Sequence, residues 1–199
     1  MSNKSVQTEE NFWESLYQER RTGWDRGKPS EGLVYWLNTG LLAPCRILVP
    51  GCGNGYEVVT LAEKGFDVTA IDIARTPIKN LQATLADANL NASLVQKDFF
   101  SWQPESPFDV IYEQTSLCAL SPELWQQYEN QLHQWLKPEG VLLAQFMQTG
   151  QEGGPPYHCD MDDMNTLFSE DRWIWSEQYS SLDMATDKNE LMYMLIKKG

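Results

Sequence analysis

Apolar positions along this 199-residue chain change their spacing in an orderly way, and each change marks an element. Phe12, Trp13, Leu16 and Tyr17 recur at helical spacing and share one face. A polar, glycine-containing loop over 22–29 follows, then a short helix carrying Leu33, Val34, Trp36 and Leu37. The apolar run 46–49 is a strand, and a glycine-rich turn leads from it into a helical pattern over 56–64. A second apolar run ends in Asp72. Thr76 followed by Pro77 reads as an N-cap with proline at the first helical position, opening a helix to about 87. Strands are expected over 92–96 and 108–112. Ser121-Pro122 repeats the cap-and-proline start, and Leu124, Trp125, Tyr128, Leu132, Trp135 and Leu136 form a helical core stripe. The segment 137–140 turns into a strand over 141–147, and a short helix is expected around 163–168. Strand-like segments over 172–179 and 191–197 end the chain without an obvious helix between them.

This alternation predicts an α/β fold with a mostly parallel seven-stranded sheet between helix layers. The last two strands predict an antiparallel edge. Length fits a single domain, with 1–40 as an N-terminal helical lid and 45–199 as the sheet core. Composition adds exclusions. Lys and Arg total 15 against 28 Asp and Glu, a net charge of −13, which opposes the phosphate neutralisation that nucleic-acid binding needs. The polar first ten residues lack the apolar centre of a signal peptide, and no apolar run spans a bilayer. A cytoplasmic protein without membrane contact is expected, a monomer by preference. Cysteines 45, 52, 118 and 159 show no C-x-x-C pairing, and with only His133 and His158 beside them no metal site is expected. They read as scattered reduced thiols.

The chemistry concentrates at Val49-Pro50-Gly51-Cys52-Gly53-Asn54-Gly55, with Asp72 standing 17 residues beyond Gly55. A strand, a glycine turn, a helix and a strand ending in a carboxylate make a nucleotide-cofactor site. Glycines allow close approach of the backbone, and the carboxylate accepts hydrogen bonds from ribose hydroxyls. Dinucleotide turns favour G-x-G-x-x-G around a pyrophosphate. Here the third such glycine is replaced by Tyr56, and the G-x-G-x-G form matches a cofactor without phosphate, S-adenosylmethionine (SAM). Cys52 lies inside the turn and reads as a space-filler rather than a nucleophile.

With Gly23-Trp24-Asp25-x-Gly27, Leu48-Val49-Pro50-Gly51-Cys52-Gly53, Lys97-Asp98, Leu136-Lys137-Pro138-x-Gly140 and Gly153-Gly154-Pro155-Pro156-Tyr157, the chain resembles the thiopurine S-methyltransferase family. The likeness runs from about Phe12 to Lys197 and leans to the branch that methylates thiols, thiocyanate and halide ions. It implies a Rossmann-like class I SAM-dependent methyltransferase fold. It also implies cofactor contacts at Trp13, Tyr17, Trp24, Gly51, Cys52, Gly53, Asp72, Ile73, Asp98, Phe99 and Gln114. Asp98 would accept from the adenine amino group with Phe99 against the ring, and the aromatics of the lid would fold over the sulfonium. Plant members of the branch carry tryptophan at the position of Tyr17 and an aromatic at that of Gln114. Those differences leave the size and polarity of the acceptor open.

The resemblance implies in-line methyl transfer to a small soft nucleophile: a thiol, thiopurine, thiocyanate, halide or chalcogen anion. An acceptor that arrives ionised needs alignment and exclusion of water rather than a protein base. Trp24, Gln114 and Tyr157 are the candidate acceptor residues, with Glu113 beside them. Two roles fit Tyr157: a phenol that donates to an incoming anion, or a loop aromatic packed on the sheet. The alternatives are a SAM-binding sensor or partner subunit without turnover and a nicotinamide dehydrogenase. Gly-Pro-Pro-Tyr also invites comparison with amino-group DNA methyltransferases, but it follows the fifth strand rather than the fourth, and the net charge is wrong for that substrate. His158-Cys159-Asp160 has no partner cluster to complete a metal site.

Overall fold

Most of the expected strands and helices are present in the computed structural model, which describes residues 3–176, 180–183 and 189–199. The chain forms two compact units, 1–102 and 103–199. In the first, α1 (Asn3–Gln18) and α2 (Glu31–Asn38) precede β1 (Arg46–Pro50), α3 (Tyr56–Glu63), β2 (Asp67–Asp72), α4 (Arg75–Asp87) and β3 (Ser93–Gln96). Their strands run β3-β2-β1, all parallel. Ile47, Leu48, Val58, Leu61, Ala70, Ile71 and Leu81 are fully enclosed, because strands sandwiched between helices bury both faces. Ser30 caps α2 by accepting from the Leu33 amide, as its residue type favours.

Two expectations are corrected in this unit. Helix α4 begins at Arg75, so Ala74 takes the cap position without a side-chain bond and Thr76 lies inside the first turn. The Thr76 amide and hydroxyl instead donate to Glu14 of α1 at 2.8 and 2.6 Å. Phe12 was expected to share one helical face with Trp13, Leu16 and Tyr17, which are half-buried, but is itself 45% exposed, touching Trp13 edge-on.

The second unit contains β4 (Phe108–Gln114), α5 (Trp125–Trp135), β5 (Leu136–Gln148), α6 (Met161–Leu167), β6 (Trp173–Trp175), β7 (Ser180–Asp183) and β8 (Asn189–Lys197). Strands β4 and β5 are parallel, and β8 joins β5 antiparallel. β6 and β7 both pair with β8, at its C-terminal and N-terminal ends respectively. The antiparallel edge is therefore present, with its outermost position shared by two short strands. The end of the strand expected over 172–179 falls at 177–179, outside the described residues. Of the expected stripe, Tyr128 and Leu132 on α5 are fully enclosed and Trp125 and Trp135 nearly so, whereas Leu124 is half-buried ahead of the helix and Leu136 is the first residue of β5. The enclosed Glu129 carboxylate accepts from Trp173 Nε1 (2.6 Å) and Arg172 Nη1 (2.8 Å), tying the helix to β6.

Candidate active site

Three glycines shape the turn after β1. Gly51, Gly53 and Gly55 all have positive φ (57°, 51° and 75°), a region that costs any side chain. Gly55 is closed sterically as well, since an added Cβ would lie 2.4 Å from the Leu81 side chain. At Gly53 a Cβ would meet the Tyr17 hydroxyl at 2.9 Å. The Cys52 amide donates to the Ile71 carbonyl at 3.2 Å, fastening the turn to the end of β2. Asp72 is next in the chain and almost enclosed; its carboxylate accepts from the Gly53 and Ala74 amides at 2.9 and 2.8 Å. Burial pushes its pKa up to about 6, and those backbone donors hold it from rising further. A carboxylate offers about four acceptor positions, so donors from a ligand still find lone pairs. Burial, then the neighbouring Asp72 charge, drives the Cys52 thiol well above its ordinary range. A neutral thiol is a poor nucleophile, so Cys52 fills space in the turn.

The prelude brings its aromatics to this turn. Trp13 and Tyr17, one helical turn apart on α1, both meet Trp24 edge-to-face, with ring centroids at 5.5 and 5.8 Å. The Tyr17 phenol is raised far above its usual pKa, first by burial and then by the Asp72 charge, and so remains a donor. The loop carrying Trp24 is anchored by its neighbour Asp25, which accepts from the Gly27 amide (2.8 Å) and from Asn54 Nδ2 in the glycine turn (2.5 Å). Asp25 and Asn54 carry no assigned role in the sequence reading. The signal for Asp25 was an Asp two residues before a glycine, the pattern of a side chain that caps its own turn.

On the neighbouring strand end, the Lys97 amide donates to the Asp72 carbonyl at 3.0 Å. Asp98 therefore follows closely on Asp72 across the β2–β3 pair. It caps a single 3-10 turn, accepting from the Phe100 amide at 3.1 Å, and both Asp98 and Phe99 are half-buried. The first unit thus gathers Trp13, Tyr17, Trp24, the glycine turn, Asp72 and Ile73, with Asp98 and Phe99 at the adjoining strand end.

The second unit holds the remaining candidates. Gln114, at the end of β4, donates through Nε2 to both carboxylate oxygens of the enclosed Glu190 (3.2 and 3.4 Å). Its Oε1 accepts from the Tyr112 hydroxyl at 3.1 Å, which accepts in turn from Gln145 Nε2 at 2.6 Å. Gln114 is thus one member of a buried polar chain crossing β4, β5 and β8. Glu113 is enclosed and accepts from the Leu117 amide at 2.7 Å, closing the turn in which Thr115 takes a φ of 62°. Burial, with Glu190 adding repulsion, raises the Glu113 carboxyl to about 7. Tyr157 is half-buried; its amide donates to the Cys118 carbonyl at 2.7 Å. Its ring folds back on Gly154, where a Cβ would lie only 2.6 Å from the ring. His158 Nδ1 accepts from the Gly150 amide at 3.4 Å, and among the described residues no group of metal-ligating side chains assembles.

A carboxylate beside a positive-φ glycine turn, with Tyr17 at the turn and Trp24 and Trp13 joined to it ring by ring, suits an adenosine-bearing cation, so the residues present fit SAM. Comparison with known proteins points the same way. The family model for thiopurine S-methyltransferase (TPMT) matches residues 8–195. The probable thiol methyltransferase 2 of Arabidopsis thaliana is 35% identical over 155 residues, covering 76% of this chain and 68% of its own. Thiocyanate methyltransferase 1 of the same plant is 33% identical, with 77% and 69% covered. Thiopurine S-methyltransferase of Legionella pneumophila (strain Paris) is 27% identical over 77% of both chains. Among solved structures, the 1,6-didemethyltoxoflavin-N1-methyltransferase of Burkholderia thailandensis, with S-adenosylhomocysteine bound, superposes with a TM-score of 0.81. It covers 100% of this chain and 91% of its own at 16% identity. Magnesium protoporphyrin IX methyltransferase from Synechocystis PCC 6803 gives 0.77 at 12% identity, with 97% and 99% covered. These distant structures identify the class I methyltransferase fold and nothing finer. The family match over residues 8–195 sets a nicotinamide dehydrogenase aside. The chain belongs to the thiopurine S-methyltransferase family and is an S-adenosylmethionine-dependent methyltransferase.

Proposed function

We propose that the methyl acceptor is a small soft sulfur nucleophile, a thiol or thiocyanate, with halide and chalcogen anions as further acceptors. The observation that carries this reading is the trio Trp13, Tyr17 and Trp24 packed ring against ring beside the Gly53 turn. Bulky rings crowded at the turn suit a small acceptor, and the thiol and thiocyanate methyltransferases among the relatives support that choice. S-adenosylmethionine, when bound, supplies an electrophilic methyl on a sulfonium centre.

The chain's own residues then have distinct tasks. Asp72 accepts from the ribose hydroxyls, while Gly51, Cys52 and Gly53 give the backbone close approach and Ile73 packs beside the sugar. Asp98 accepts from the adenine amino group, with Phe99 against the ring. Trp13, Tyr17 and Trp24 present π faces to positive charge, an attraction of about 0.5–2 kcal/mol, and shut out competing water. Tyr157 donates a hydrogen bond from its phenol to the acceptor anion. Gln114, held by Glu190 and Tyr112, sets the polarity on the acceptor side. A soft anion needs no proton removed, so alignment and dryness are the catalytic contributions.

Turnover tests the proposal. S-adenosylhomocysteine release above a no-acceptor blank is expected with hydrosulfide, an aromatic thiol or thiocyanate. SAM binding without release on any of them would contradict it and favour a non-catalytic SAM-binding role. Tyr157→Phe is expected to lower kcat while the dissociation constant for SAM stays unchanged. If both hold at wild-type values, Tyr157 is a packing residue only.

A further inference from the structure

A helix of thirteen residues leaves its first amides without intrahelical partners, and α4 supplies no cap of its own because Ala74 stands at the cap position. The missing acceptor comes from 62 residues earlier in the chain. Glu14 of α1 takes the Thr76 amide on Oε2 and the Thr76 hydroxyl on Oε1, so one carboxylate grips both donors of a single residue. Gln18, one turn along α1, donates to Glu14 Oε1 at 2.8 Å and steadies it. Burial alone would raise the Glu14 carboxyl, yet the hydrogen bonds from Thr76, Gln18 and the Arg75 backbone together outweigh it and leave the group below its ordinary range. The anion is thus the form that the α4 terminus selects, as the positive end of a helix favours.

The position of Glu14 within α1 gives this cap a second consequence. Residues 13 and 17 share one helical face, and 14 and 18 share the face next to it, about 100° around the axis. Fixing Glu14 on α4 therefore fixes the rotation of α1, and with it the direction in which Trp13 and Tyr17 project. Those two rings meet Trp24, and the Tyr17 hydroxyl comes to rest at Gly53. A further contact, Gln96 Nε2 to Glu10 Oε1 at 3.4 Å, holds the same side of α1 one turn earlier, at the end of β3.

We propose that Glu14 is a positioning residue: by capping α4 from outside, it seats α1 so that its aromatics close over the cofactor. The inference rests on the proposed reading of Trp13 and Tyr17 as the cofactor's cover. Its test compares Glu14→Ala, Thr76→Val, the double variant and Thr76→Ser for SAM affinity and dissociation rate by stopped-flow tryptophan fluorescence. Melting temperature is measured on the same samples. Glu14→Ala should weaken SAM about tenfold, the size of a lost helix cap, mainly through faster release. KM for SAM should rise by a similar factor with kcat little changed. Thr76→Val should weaken binding in the same direction, the double variant should lose less than the product of the two singles, and Thr76→Ser should behave as wild type. If Glu14→Ala fails to fold, Glu14→Gln keeps the shape without the charge and should still release SAM about threefold faster, given that charge-assisted bonds are roughly twice as strong as neutral ones.

Wild-type SAM release from both Glu14 variants, while Trp13→Ala and Tyr17→Ala release it quickly, would overturn the role of Glu14 and leave the aromatic cover standing. Unchanged release in the aromatic variants as well would overturn both.

Discussion

At the scale of single residues, Asp72 carries the sharpest consequence. Its folded pKa, about 6, lies above the ordinary carboxylate value because the group is buried. Glu113 follows the same logic at about 7. For an acid whose folded pKa is raised, the folded state binds more protons than the unfolded chain. The stability contributed is full below the unfolded value and is lost as pH rises through the folded one. Lowering pH from 8 towards 5 should therefore raise the melting temperature through these two groups. SAM binding should move the opposite way, weakening below about pH 6 as Asp72 takes a proton and ceases to be a charged acceptor. Calorimetric binding across that range checks the point, and Asp72→Asn should remove the pH dependence. Asp72→Ala should weaken SAM by more than about 1.5 kcal/mol, two charge-assisted hydrogen bonds being lost. An affinity that ignores both pH and the substitution would remove Asp72 from the ribose.

Single elements were legible where the signal was local. The β1–turn–α3–β2 unit could be read because glycine spacing and a strand-ending carboxylate lie within 27 residues, from Arg46 to Asp72. The α5 stripe could be read because a single periodicity governs it. Thr76 was misread for a physical reason: it looks like a cap, but its donors go to Glu14, and no window of sequence contains both residues. The hold of Glu190 on Gln114 was hidden in the same way, across 76 positions. The antiparallel edge was anticipated, while its division between β6 and β7 was not, because pairing with β8 is set by partner register rather than by composition. Gly55 tests this scale. With φ at 75° and Leu81 in the space of a Cβ, Gly55→Ala should destabilise the fold by about 2 kcal/mol in urea unfolding. A loss under about 0.5 kcal/mol, the range of an ordinary surface change, would mean that the turn relaxes.

For the molecule as a whole, the α/β class, the SAM cofactor and the family were all readable, because they depend on a few motifs distributed from the prelude to Tyr157. The acceptor was less so, since the chain differs from plant members of the branch at Tyr17 and Gln114, and no local motif fixes which small nucleophile is taken. The charge of −13 gives an independent expectation: an anionic acceptor approaches against a repulsive field, so KM for thiocyanate should fall as ionic strength rises. A KM that rises with salt would indicate a local positive field at the entrance.

Methyl transfer from SAM to a small sulfur nucleophile is read at its source by following the methyl group itself. SAM labelled in the methyl is incubated with the protein and either hydrosulfide or thiocyanate, and the headspace is analysed for labelled methanethiol or methyl thiocyanate. Label is expected in the volatile product of at least one acceptor, dependent on Asp72 and slowed by Tyr157→Phe. SAM bound at full occupancy with no label leaving it in either reaction would contradict methyl transfer to these small sulfur anions.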